Sequence, residues 1–308
     1  MNTALVTHRD VVRHEIAPGH PECPQRIDAI LDELMKRDVH DFLKLYEAPK
    51  ATREQLLRAH PESYVDLIHR KAPSAGSVSL DPDTAMNPHT LDASLRAAGA
   101  GVLATDLVLS GEHRNAFCLV RPPGHHAECD RAMGFCFFGS IAIAARHALE
   151  HHGLSRVAIL DFDVHHGNGT EDIVDGDARI LFCSSFQHPF YPGDYRDNVV
   201  DQRVNVPLAA GTSSAQFRSA IETQWLPALE RFKPEMLFVS AGFDAHVEDP
   251  LAGMALVDED YAWITRQLLT VADTHCEGRL VSMLEGGYAL PALARSATAH
   301  IRELMQLG

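Results

Sequence analysis

Five short apolar runs punctuate the chain from residue 90 onward, at 115–120, 156–160, 179–183, 236–240 and 279–284. They lack a sustained polar–apolar alternation, so each reads as a strand buried on both faces of a sheet. Between them lie amphipathic stretches of helical length, at 91–109, 140–152, 214–232, 258–274 and 291–305. Strands and helices alternating in this way predict βαβ units in a parallel sheet. The N-terminal third adds a strand at 4–7, a helix near 26–37 and another from Thr52, opened by the capping-box pattern Thr52-Arg53-Glu54-Gln55. No internal repeat or long Pro/Gly/Ser linker divides the chain, so residues 1–308 are expected to form one α/β domain.

Composition narrows the function classes. With 308 residues, 45% of them hydrophobic, the chain can bury roughly 75% of its unfolded surface without disulfides or a structural metal. Acidic residues outnumber basic ones 42 to 27, a formal charge of -15, which leaves no electrostatic footprint for nucleic acid or anionic lipid. The first ten residues carry a charge too early for a signal peptide, and no stretch is long and apolar enough to span a bilayer. Six cysteines (Cys23, Cys118, Cys129, Cys136, Cys183, Cys276) form no C-x-x-C pair and read as buried thiols of a reducing cytoplasm.

The chemistry gathers where the strands end. Arg121-Pro-Pro-Gly-His-His126, Asp161-Phe-Asp-Val-His-His166, Ser184-Ser185, Ala241-Gly-Phe-Asp-Ala-His246 and Glu285-Gly-Gly-Tyr288 each follow an apolar run. In an open parallel sheet ligands bind outside the carboxyl ends of the strands, so five polar clusters there converge on one site. Asp163 and His165, one residue apart on an extended segment, face the same side, and Asp244 can supply a third ligand. Two aspartates, a histidine and an open fourth position have the ligand count of a catalytic zinc site. Two carboxylates cancel the ion's charge, so a separate general base is needed, and His125 and His126 are the candidates. Asp161 and Asn168 flank the ligand run as partners for those imidazoles, a carboxylate on one and an amide on the other, which would push their pKa values apart. Tyr288, carried on the Gly286-Gly287 turn, is placed to offer its hydroxyl to a substrate carbonyl. A second histidine pair, His151-His152, sits at a helix end before Gly153, where cationic side chains suit the dipole. It is assigned no chemistry, nor are His8, His40, His69, His113, His147, His275 and His300.

Over nearly its whole length the sequence resembles the histone deacetylase family, in its class II-like bacterial branch. The resemblance rests on His20-Pro-Glu-Cys-Pro-Gln-Arg-Ile27, Arg121-Pro-Pro-Gly-His-His-Ala127, Gly134-Phe-Cys-Phe-Phe138, Asp161-Phe-Asp-Val-His-His-Gly-Asn-Gly-Thr170, Ser240-Ala-Gly-Phe-Asp-Ala-His246 with Asp249-Pro-Leu251, and Leu284-Glu-Gly-Gly-Tyr288. It implies an arginase–deacetylase α/β fold with a central eight-stranded parallel sheet flanked by helices. It implies Zn2+ on Asp163, His165 and Asp244, His125 and His126 as the acid/base pair, and Tyr288 as the residue polarising the carbonyl. Gly134, Phe135 and Tyr191 match walls of an acyl-lysine tunnel, with Gly286 and Gly287 also at the substrate. Asp83 matches a rim residue that holds the substrate backbone, with Asp81 the competing choice, and Arg26 an internal product channel. K+ beneath the zinc would be held by Asp161, Ser184 and nearby carbonyls. Two positions depart from the family pattern: Gly139 replaces a frequent Asn, with Ser140 still available as a helix cap, and Phe186 replaces a frequent His.

The implied substrate is an acylated lysine of a peptide or protein, or a small acylated amine, cleaved by a hydroxamate-sensitive hydrolase. Polyamine-preferring relatives place a glutamate at the tunnel mouth, whereas Leu251 stands at that position here. A two-metal ureohydrolase of the arginase type would need extra carboxylates where Gly167 and His246 stand, and a catalytically dead acyl-lysine reader would need a broken ligand set or a lost Tyr288.

Overall fold

The computed structural model describes residues 3–196 and 202–306. Its strands are β1 (Ala4–Thr7), β2 (Lys44–Glu47), β3 (Val78–Ser79), β4 (Ala85–Met86) and β5 (Asn115–Cys118), followed by β6 (Val157–Asp161), β7 (Ile180–Gln187), β8 (Arg203–Leu208), β9 (Leu237–Ala241) and β10 (Leu280–Leu284). The helices are α1 (Gln25–Lys36), α2 (Arg53–Leu56), α3 (Glu62–Lys71), α4 (Thr90–Leu109) and α5 (Ser140–Glu150), then α6 (Asn168–Val174), α7 (Ser214–Ala220), α8 (Leu226–Phe232), α9 (Asp258–His275) and α10 (Leu290–Leu304).

Eight strands form one parallel sheet in the order β2-β1-β5-β10-β9-β6-β7-β8, and β3 and β4 pair apart from it as a small antiparallel ribbon. Every residue of β5, β6, β7, β9 and β10 is buried, so helices cover both faces, as their unbroken apolar runs require. These five strands are also neighbours, which brings the loops after them to one edge of the sheet. The result is a single α/β domain with an eight-stranded parallel sheet flanked by helices.

Hydropathy left the two outermost strands invisible. β2 is exposed at three of its four positions, and β8 includes Arg203 and Pro207. Edge strands bury little and tolerate such residues, so they carry no apolar run. The capping box at Thr52 forms, with the Gln55 N–H donating to Thr52 Oγ1 and the Thr52 N–H to Gln55 Oε1, but α2 is a single turn. The helix expected over 214–232 contains a π turn at Ile221–Trp225. Pro227 has no N–H for the carbonyl of residue 223, which favours that wider turn. Ser140 does not cap α5, because Gly139 occupies the N-cap position and Ser140 is the first helical residue. A Cβ at residue 139 would lie 2.4 Å from Ile173 Cδ1, so a larger residue there requires the Ile173 side chain to shift. Phe186, the other departure, is buried with its ring 4.5 Å from that of His166.

His300, on α10, is a core histidine: Nδ1 meets Thr265 Oγ1 at 2.6 Å and Nε2 meets Ser282 Oγ at 2.8 Å. Burial drives its pKa down to about 3. In the unfolded chain an imidazole titrates near ~6.5, so below that pH the unfolded state takes up a proton that the native state refuses. Stability should therefore fall by about 1.4 kcal/mol per pH unit through this group as pH drops from ~6.5 toward the folded value. Denaturant melts of wild type and His300→Gln from pH 7 to pH 4.5 should differ in slope by about that amount, the variant being flatter; parallel slopes would contradict the assignment.

Candidate active site

The site is built from the loops after β5, β6, β7, β9 and β10. Asp163 Oδ1 accepts the His165 N–H at 2.8 Å, and its Oδ2 accepts the Gly286 N–H at 2.8 Å. Asp244 Oδ1 accepts the Val164 N–H at 2.9 Å. These bonds fix both carboxylates against a third donor: His165 Nδ1 lies 3.0 Å from Asp163 Oδ1 and 3.2 Å from Asp244 Oδ2. One donor atom from each residue lies within 4.8 Å of the others.

This arrangement fits a divalent cation. Both aspartates are fully buried, Asp244 Oδ2 has no donor in hydrogen-bonding geometry, and among the described residues no Lys or Arg forms an ion pair with either. Burial and the charge of Asp163 push the Asp244 carboxyl up to about 7. Against its own burial, Asp163 is held well below the usual range by His125 and His165. The backbone closes on the pair: a Cβ at Gly242 would lie 2.0 Å from Asp163 Oδ2, and one at Gly286 would lie 2.1 Å from Asp244 Oδ2. The residues that a second ion would need are absent. His246 is engaged with Asp258 and the Glu248 N–H, and a Cβ at Gly167 would lie 2.1 Å from Asp161 Oδ2.

The two catalytic-histidine candidates stand 4.0 Å apart between ring centres. His125 Nδ1 meets Asp161 Oδ2 at 2.9 Å, and His126 Nδ1 meets Asn168 Oδ1 at 2.7 Å. Burial opposes protonation of both. Asp161 and Asp163 overcome it at His125, whose pKa lies well above the ordinary value. His126 has burial and the charges of His125 and His165 against it, and lies well below. The split expected from a carboxylate on one imidazole and an amide on the other is thus present.

Above them opens a cavity of about 190 Å³ lined by Asp83, His126, Gly134, Phe135, His165, Tyr191, Leu251 and Tyr288. Tyr191 lies edge-on to His126 and His165, and Phe190 stacks on His165. Asp83 Oδ1 accepts the Gly134 N–H at 3.2 Å, whereas Asp81 turns to the Asp83 N–H and is not in the wall. Tyr288 is anchored by its N–H to Asp249 Oδ2 at 2.7 Å, and the Arg26 guanidinium lies 5.1 Å from its ring centre. Burial keeps its phenol protonated, well above the usual range.

Other sequence-derived positions take different places. Gly286 and Gly287 do not line the cavity: the Gly286 N–H serves Asp163 and the Gly287 carbonyl accepts from Arg26 Nε at 2.7 Å. Arg26 is itself buried, pairing with Glu22 and donating to the Glu285 carbonyl. Asp161 and Ser184 are register partners on β6 and β7, with Ser184 Oγ 3.1 Å from His166 Nδ1. Cys23 and Cys129 are only half-buried, whereas the other four cysteines are buried; all six are free thiols.

Glu285 was missed. Its buried carboxylate accepts the Gly124 N–H at 2.7 Å and the His125 N–H at 3.2 Å, while Ser240 Oγ donates to it at 3.1 Å. It thereby ties β9 and β10 to the loop that carries both histidines. The available signal was its place in a strand-end cluster, but the eye goes to the Gly-Gly-Tyr that follows.

Comparison with known proteins agrees with this geometry. The family model described as "Histone deacetylase domain" matches residues 20–304, and the chain belongs to the histone deacetylase family. It is 39% identical to the histone deacetylase-like amidohydrolase of Pseudomonas aeruginosa, over 95% of this chain and 79% of that protein. It is 35% identical to the human polyamine deacetylase HDAC10, over 99% of this chain and 48% of that protein. The crystal structure of the HDA15 HD domain superposes with a TM-score of 0.92 at 32% identity, covering 99% of this chain and 90% of that one. The chain is thus a hydrolase of the deacetylase and amidohydrolase type.

Asp244→Asn should lower divalent-cation affinity, read with Zn2+ as the probe, by at least ~10–100-fold, the loss typical of even an outer partner of a metal site. The metal-free fold should not suffer, because the substitution removes one of two like charges buried side by side. Metal analysis with circular dichroism checks both halves; a variant that unfolds outright would make the carboxylate structural.

Proposed function

We propose that the chain is a zinc-dependent hydrolase that removes acetyl or related acyl groups from the Nε-acyl-lysine of peptides or proteins. The observation carrying this reading is the Asp163/His165/Asp244 trio and the split histidine pair at the base of one narrow, aromatic-walled cavity. The family is generally zinc-dependent, and three ligands with a fourth position free suit a catalytic rather than a structural ion. Such an ion, when bound, polarises the amide carbonyl and makes water a better nucleophile.

The chain's own residues do the rest. Phe135, Gly134 and Tyr191 enclose an extended alkyl chain and keep water from it. Asp83, at the wall, accepts from the substrate backbone. His126, the one member of the pair in the cavity wall, is held neutral; it takes the proton of the attacking water and returns it to the leaving amine. His125 supports it from behind, its proton shared with Asp161. The Tyr288 hydroxyl donates to the oxyanion of the tetrahedral intermediate, while Arg26 and Asp249 hold that residue in place. Asp161 and Ser184, with neighbouring carbonyls, would hold a structural K+. We place the enzyme in the cytoplasm, where a reducing environment suits six free thiols.

The second reading is an acetylpolyamine deacetylase, which the charge of -15 and the human relative favour. The wall argues against it. Leu251 offers no anion, and Asp249 nearby is committed to the N–H groups of Leu251, Tyr288 and Ala289. At Leu251 a polyamine ammonium is desolvated without a partner, and Asp83, the carboxylate in the wall, already accepts the Gly134 N–H and the Thr84 hydroxyl through Oδ1.

Tyr288→Phe should lower kcat by about 10²–10³ on an acetyl-lysine peptide, the usual loss for one oxyanion donor. A near-wild-type rate would remove Tyr288 from the mechanism. Relative kcat/KM for acetyl-lysine peptides against acetylspermidine should favour the peptides, and Leu251→Glu should shift the ratio toward the polyamine. A wild-type preference for acetylpolyamines of tenfold or more would establish the second reading.

A further inference from the structure

The histidine pair that the sequence left without chemistry is joined in the fold by two more donors. His147 and His151 stand four residues apart on one face at the end of α5, with rings stacked at 4.7 Å and 11°; His152 closes the group at 5.0–5.1 Å from both. One ring nitrogen from each imidazole lies within 4.8 Å of the others. Across the helix interface, Asp106 of α4 brings a single carboxylate oxygen, Oδ1, to 2.7 Å from both His147 Nε2 and His152 Nε2. We propose that His147, His151 and His152, with Asp106, form a second divalent-cation site, for a borderline transition ion such as Ni2+, Cu2+ or Zn2+.

The chemistry of the donors selects that class. Three imidazoles and one carboxylate suit nickel, copper and zinc, and are poor for magnesium or calcium, which prefer all-oxygen sets. The group lies at the carboxyl end of α5, where the partial negative charge of the helix favours a cation. His147 is buried, while His151 and His152 are exposed, so an ion can enter from solvent and meet a prepositioned ligand.

The surrounding charges define what binding must displace. Arg58 Nη1 lies 3.0 Å from His147 Nδ1, which makes Nδ1 the acceptor and places the ring proton on Nε2, toward Asp106. An ion at Nε2 replaces that proton, moves it to Nδ1, and turns Arg58 away. Arg58 has Glu54 at 3.3 Å and Glu150 at 3.6 Å to receive it, so its charge stays compensated. This rearrangement makes the site weaker than the buried carboxylate trio, and it links α4 to α5. Cavity residues Gly134 and Phe135 precede the opposite end of α5, and the helix is about 16 Å long at 1.5 Å per residue, so turnover should not depend on the site.

The test uses the zinc-loaded enzyme and Ni2+ alone as the probe, followed by calorimetry, with the His151→Ala/His152→Ala double variant as comparison. Both substitutions are on exposed residues, and deacetylase turnover should be equal in the two proteins. The wild type should bind one further equivalent of Ni2+, at least tenfold more tightly than the double variant. Bound Cu2+ in the wild type should show hyperfine coupling to imidazole nitrogens that the variant reduces. Equal Ni2+ affinity in both proteins, or no binding beyond the first zinc, would overturn the proposal and leave Asp106 as an ordinary ion-pair partner of His147 and His152.

Discussion

Two carboxylates, Asp163 and Asp244, are buried side by side with no arginine or lysine paired to either among the described residues. Everything around them addresses that charge. Backbone N–H groups of Val164, His165 and Gly286 take three of the four oxygens, and His165 spans the space between the two side chains. A buried ion pair of like sign is costly in a low-dielectric interior unless a cation joins it. The fold accepts this arrangement because five adjacent strands end at the same edge and a large apolar core elsewhere supplies the stability.

The same short loops that shape this charge also hold the histidine pair. Asp161 is the last residue of β6, two residues before Asp163, and it holds His125. Asn168 opens α6 three residues after His165 and holds His126. The run Asp161–Thr170 and the His125–His126 loop therefore bring together two candidate ligands and two imidazoles whose pKa values are pushed apart. The turn after β10 completes the linkage, with Glu285 bound to the histidine loop, Gly286 to Asp163, Gly287 to Arg26 and Tyr288 facing the cavity. A small shift in any one of these loops would move groups that act together, which is the usual reason such sites sit on rigid strand ends.

Much of this was legible because the informative signals are local. A strand buried on both faces must be continuously apolar, so β5, β6, β7, β9 and β10 announce themselves, and the polar residues directly after them mark the site. Asp163 and His165 share a side by alternation alone. What escaped depends on distant partners. β2 and β8 are edges with half-polar faces. Glu285 matters through Gly124 and Ser240, which lie 161 and 45 residues away in the chain. His147 looked like an ordinary helical histidine until packing of α4 on α5 set Asp106 beside it. Gly139, which departs from the family pattern, packs against Ile173, a contact no linear pattern reports.

On the proposed reading, the buried carboxylate pair holds one divalent ion. A crystal of the protein prepared with one equivalent of zinc, measured at the zinc absorption edge, tests it directly. A single anomalous peak is expected at about 2.0–2.2 Å from donor atoms of Asp163, His165 and Asp244, with open space on the side of His126 and Tyr288. A peak elsewhere with none at this trio, or two ions sharing it, would show that the pair is not a single-ion site.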